Sequence, residues 1–136
     1  MSNGSDSLPP TRRLGKGWEP HVAEIDGRLV YSIPVASGHM DFDFEFGIEA
    51  SDLTVLKEQP YRRTVLFMLL HTVLQRSTLP GNPKVSQADF RTLADTILFE
   101  SADAVAGLIE KVNAEHNIRL QFYIGEELER LTAREG

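Results

Sequence analysis

Acid–base side chains recur at every second position from His39 through Asp41 and Asp43 to Glu45. In an extended strand alternate residues project from one face, about 6.6 Å apart in successive steps. Carboxylates aligned this way can bind a hard cation, share a proton for acid–base work, or offer an acidic surface to a cationic partner. A metal would need further ligands from a neighbouring strand, such as Glu24. The same residues can also serve the chain itself. Phe42, Phe44 and Phe46 lie between them, and a bare aromatic strand invites edge-to-edge association that charges oppose.

A second candidate is Arg62-Arg63, which follows Pro60 at the head of a strongly apolar segment. Cations in the first turn of a helix oppose its dipole, at about 0.3–1 kcal/mol each when exposed. Two together call for compensation. They can pair with acids such as Glu58 or with the acidic strand, or they can hold an anion with the help of helix N–H groups. Tyr61 beside them makes a phosphate-bearing ligand conceivable. A third candidate is His71, which shares a helical ridge with Thr64, Met68 and Gln75. It reads either as a general base or ligand-orienting residue in a cleft, or as a rim histidine or one satisfied by a backbone carbonyl. It is the only catalytic candidate. Trp18 and Tyr123 are possible surface aromatics, with Trp18 expected to anchor the N-terminal tail at the edge of the core.

Many chemistries are excluded. The chain has no cysteine, which removes disulfides, thiolate metal sites and cysteine nucleophiles together. It carries no Gly-rich phosphate loop, no HExxH, no GxSxG and no EF-hand loop. The histidines at 21, 39, 71 and 116 are never three or four residues apart, so a helical two-histidine metal pair is absent. No cofactor and no metal site are expected.

With 136 residues the chain fits one domain with a core of its own. Residues 1–17, rich in Ser, Gly and Pro, read as a flexible tail, and 18–136 as a single α+β domain. The formal charge of -6 argues against nucleic acid as a partner. The charge is unevenly spread: residues 21–59 hold eight acids against two bases, and residues 60–91 hold five bases against Asp89 alone. The longest apolar run, Val65 to Leu70, is far shorter than the roughly 20 residues of a membrane span, so no membrane partner is expected. The lack of cysteine and of an apolar leader fits a cytoplasmic setting.

The elements that must position these residues follow from periodicity. Asp26-Gly27 between His21–Ile25 and Arg28–Pro34 predicts a hairpin, since both turn residues tolerate positive φ. Pro34 predicts the end or an edge of the second strand. Ser37-Gly38 predicts a turn, and 39–48 a strand burying Phe42, Phe44, Phe46 and Ile48. Ser51 predicts the N-cap of a short helix, Pro60 either ends that helix or sits at N1 of the next, and 61–76 reads as a mostly buried helix. Ser86 with Asp89 predicts a capping box, and Ser101 either a second helix or a kink in one. Ile118, Leu120, Phe122 and Ile124 alternate and predict a last strand, broken by Gly125 before a short terminal helix. The order β-β-β-α-α-α-β gives an α+β fold with a mainly antiparallel sheet of about four strands and helices on one face. Phe42, Phe44, Phe46, Leu120 and Phe122 are expected to meet Leu66, Leu69, Leu70 and Val73 in the core.

Three functional readings are open. The first is a non-catalytic protein-binding domain, an inhibitor or immunity-type partner of a protein with a basic surface, using Asp41, Asp43 and Glu45. The second is a small-ligand binder or enzyme with a pocket near His71, Arg62 and Arg63. The third is a homo-oligomer subunit pairing through an exposed strand edge.

Overall fold

The computed structural model describes residues 11–16 and 19–135. The fold is α+β, with strands first and helices after. The strands are β1 (Thr11–Leu14), β2 (His21–Ile25), β3 (Arg28–Ser37) and β4 (Met40–Ile48). The helices are α1 (Ala50–Glu58), α2 (Pro60–Ser77), α3 (Gln87–Phe99), α4 (Ala102–His116) and α5 (Leu120–Glu135). The chain divides into two compact units, 1–53 and 54–136.

The first unit is an antiparallel meander in the order β1-β2-β3-β4. Asp26 and Gly27 both have positive φ, 53° and 80°, as the two-residue turn between β2 and β3 requires. Gly38, also at positive φ, turns β3 into β4 together with His39. His39 therefore stands outside β4, and the acidic row begins at Asp41. Pro34 does not end β3, which runs on to Ser37. It pairs with Asp43 on β4, and it lies beyond the last rung with β2, His21 opposite Ser32. Its missing N–H thus removes no bond on the β2 side.

Register sorts the two faces of the sheet. Val22, Tyr31, Ile33, Val35, Phe46 and Ile48 share one face and are all buried. Phe42 and Phe44 lie on that face too, but only half-buried, with their rings stacked 6.1 Å apart. Asp41, Asp43, Glu45 and Gly47 occupy the opposite face of β4 and are exposed.

The fourth strand is the correction to topology. It precedes the predicted three rather than returning after the helices. Thr11–Leu14, read as part of the flexible tail, pairs with β2, and Arg13 forms an ion pair with Glu24. The rest of that tail, and Trp18, lie outside the described residues.

In α1 the helix begins at Ala50, one residue before Ser51. The backbone N–H of Glu49 donates to the Asp52 carboxylate at 2.7 Å, so the acid at 52 does the capping. In the second unit α2 packs against α3, α4 and α5. It starts at Pro60, which takes the second of its two predicted places, and buries Val65, Leu66, Leu69, Leu70 and Leu74. Val73 is half-buried. Ser86 and Asp89 form the predicted reciprocal capping box of α3. Ser101 caps a separate helix, so residues 87–116 are two helices.

Residues 118–124 do not form a strand. Leu120, Ile124 and Leu131 are buried on one side of α5, while Phe122 is 60% exposed. The alternation of Ile118, Leu120, Phe122 and Ile124 also contains the four-residue spacing of a helix, and burial selects that spacing. Asn113 fixes the start. Its Oδ1 accepts from the Leu120 N–H at 2.8 Å and its Nδ2 donates to Gln121 Oε1 at 2.8 Å.

Two stability series test this architecture. Gly125 sits inside α5, and a Cβ added there meets no atom within 4 Å. Gly125→Ala should raise stability by about 0.5–1 kcal/mol in urea unfolding, as for an open helix interior. A loss would argue against helix at this position. Ile33→Ala, at a fully buried site, should cost about 2–5 kcal/mol, and Phe44→Ala should cost less than the ~3–5 kcal/mol of a fully buried phenylalanine.

Candidate functional site

The residues singled out by sequence fall into separate neighbourhoods. Asp41, Asp43 and Glu45 stand on β4, the terminal strand of the sheet. Opposite them on β3 are Ala36, Pro34 and Ser32, none of them charged. Among the described residues no ion pair to the three carboxylates is formed. Ion pairs form elsewhere: Glu24 with Arg13, Asp95 with Arg91 at 2.8 Å, and Glu127 with Arg130 at 2.8 Å. Glu24 is also on the opposite face of the sheet, in register with Leu29 and hence with Ile48. It cannot complete a metal site with the acidic row. Among the described residues no group of three or more His, Asp or Glu is arranged to hold a metal ion.

Arg62 does something the sequence did not suggest. Its Nη1 donates to the carbonyl of Ile97 at 2.8 Å, in the last turn of α3. Terminal helix carbonyls have no partner within their own helix, and a cation both donates to them and complements the negative end of the dipole. The compensation for an arginine in the first turn of α2 thus comes from the end of α3. Among the described residues Arg62 forms no ion pair with Glu58. Arg63 is half-exposed beside it.

His71 is half-buried, with its ring edge-on to Phe67 at 6.2 Å. Burial lowers its pKa from the ordinary 6.5, and no charged group contributes to that shift. A general base oriented by an acid or an arginine is not what this environment provides. Nine residues separate Arg62 from His71, roughly 13 Å along the helix axis. The predicted trio of His71, Arg62 and Arg63 does not converge.

The structure adds a feature that sequence reasoning missed. An open groove of about 670 Å³ lies at the C-terminal end of α2, lined by apolar Val73, Val85 and Leu93 and by Arg76, Lys84 and His116. Its cations are already engaged. Arg76 Nη1 donates to the Glu115 carbonyl at 2.8 Å, and Lys84 Nζ to the Ser77 carbonyl at 3.0 Å. Burial, aided by the charge of Arg76, lowers the His116 pKa, with Glu115 partly opposing. The groove is a seam between helix ends whose charges answer one another. No local motif announces it, because its residues come from α2, the 78–86 loop, α3 and α4.

Two measurements follow. Arg62→Met should lower stability by about 1–2 kcal/mol, since the Ile97 carbonyl loses a charged donor, and Arg62→Lys should recover part of it. Both histidines have native pKa values below 6.5. The unfolded chain therefore takes up protons first on acidification, so their contribution is full above 6.5 and is lost below it. Thermal midpoints should fall as pH drops through that window, and His71→Gln should shrink the fall. An identical pH profile in the variant would refute the assignment.

Among the described residues no helix is long and apolar enough to cross a membrane. The chain matches no protein-family model, no curated protein and no solved structure, so its chemistry has to be read from its own residues.

Proposed function

We propose that the chain is a non-catalytic protein-binding domain whose acidic row, Asp41, Asp43 and Glu45, faces a partner with a basic surface. The observation that carries this reading is that three consecutive outward carboxylates on an edge strand are exposed and pair with no cation among the described residues. Unpaired charge of one sign raises the encounter rate with an opposite surface and makes it sensitive to salt. Inhibition of a basic enzyme or toxin by occlusion is one activity such a surface suits. The small-ligand reading is weaker, because its residues are separated and Arg62 is committed to a carbonyl.

The test compares wild type with the triple variant D41N/D43N/E45Q as baits for native lysate. A basic protein identified by mass spectrometry should be retained by wild type and lost from the variant. Its association rate should fall as salt rises for wild type and respond less for the variant. Light scattering separates the competing role. A variant that aggregates while retaining the same proteins would show that the acids only guard the edge strand, and the proposal would fail.

A further inference from the structure

Helix α5 has a buried face and an exposed one. Leu120, Ile124 and Leu131 are buried. On the other side Phe122, Tyr123 and Glu126 lie on α5, and Arg119, the residue just before its first turn, completes the spacing i, i+3, i+4, i+7 of one stripe. All four are exposed, Phe122 at 60% and Tyr123 at 45%. Phe122 and Tyr123 meet edge to face with ring centroids 5.3 Å apart. Beside them Asn117, Ile118 and Arg119 complete an open hollow of about 530 Å³. Two adjacent exposed aromatics flanked by arginine have the composition of a binding hot spot.

The charges identify the occupant. Arg119 stands at the positive end of α5, where its carbonyl accepts from the Phe122 N–H and no acid lies in the first turn. A cation there is unfavourable for the helix itself. Glu126 lies seven residues on, across the aromatic pair. Neither forms an ion pair among the described residues. A two-fold axis passing between Phe122 and Tyr123 brings a second α5 antiparallel to the first. Phe122 then faces Tyr123 of the partner subunit. Arg119 faces Glu126 of the partner subunit, and the same contacts repeat by symmetry. A surface with cation, aromatic pair and acid in this order is complementary to its own inverted copy, which is the requirement of an isologous dimer.

We propose that two copies of this chain dimerise through antiparallel α5 helices, with the Phe122–Tyr123 pair at the centre and Arg119–Glu126 ion pairs at both ends. A contact confined to one helix per subunit is smaller than a standard interface, so the dimer is weak and concentration-dependent.

Sedimentation equilibrium of the full chain across the micromolar range tests this directly. Wild type should pass from monomer to dimer as concentration rises. R119E and E126R each set like charges against one another twice, and each should weaken the dimer by roughly tenfold or more. Mixed in equal amounts, the two variants should restore dimerisation, because every R119E contact then meets an E126R contact of opposite sign. F122S should abolish association. All three positions are exposed, and R119E adds an acid where the helix dipole favours one, so unchanged far-UV circular dichroism should accompany each loss. A chain monomeric at every concentration would overturn the proposal. So would a dimer indifferent to both charge reversals, or a mixture that fails to recover it.

Discussion

The helical unit depends on how its helices end. Three cations each donate to a carbonyl in the final turn of a helix: Lys84 to Ser77 of α2, Arg62 to Ile97 of α3, and Arg76 to Glu115 of α4. Carbonyls at these positions have no intrahelical partner, and a cation both donates to them and complements the negative end of the helix dipole. Two of the three donors project from α2, the helix that packs against α3, α4 and α5. The central helix thus supplies apolar side chains to the core and, from its two ends, the groups that terminate its neighbours. Its own end is closed by Lys84, with Asn82 Nδ2 also donating to the Arg76 carbonyl at 2.9 Å. The basic character of residues 60–91 is largely accounted for in this way.

The sheet follows a different constraint. Alternation along β4 gives it an aromatic side and an acidic side, and register with β3 extends the aromatic side through Tyr31, Ile33 and Val35. The acidic side has no such extension. Across from it β3 offers Ser32, Pro34 and Ala36, which carry no charge. The carboxylates remain exposed because nothing charged in their register answers them, and an edge strand cannot draw on a neighbour from its outer side. The same geometry keeps Glu24 out of reach on the other face, where Arg13 engages it.

The helices α4 and α5 are joined by side-chain chemistry more than by the residues between them. Asn117 takes the left-handed conformation at φ 53°, and the Ile118 N–H returns to the Asn113 carbonyl at 3.1 Å. The Asn113 side chain then bonds the first residues of α5. One asparagine, through its carbonyl and its amide, closes one helix and opens the next. This fixes which side of α5 faces inward, and so leaves Phe122 and Tyr123 facing out.

Features encoded by neighbouring residues were legible in the sequence. Asp26-Gly27 gives the hairpin because both residues accept positive φ. Ser86 and Asp89 give the capping box, Pro60 the start of α2, and the Phe42-to-Ile48 alternation the strand that carries the acidic row. Each involves atoms only a few residues apart, so local chemistry suffices. What tertiary structure decided was the use of residues whose local signal is ambiguous or absent. Seven residues from Ile118 to Ile124 satisfy a strand period and a helix period together. Only the anchoring by Asn113 and the burial of Leu120, Ile124 and Leu131 choose between them. Thr11–Leu14 has little strand character of its own and becomes a strand because β2 offers an edge. The partners of Arg62 and Arg76 lie 35 and 39 residues away along the chain, on helices brought close by core packing, and no spacing in the sequence encodes such a distance.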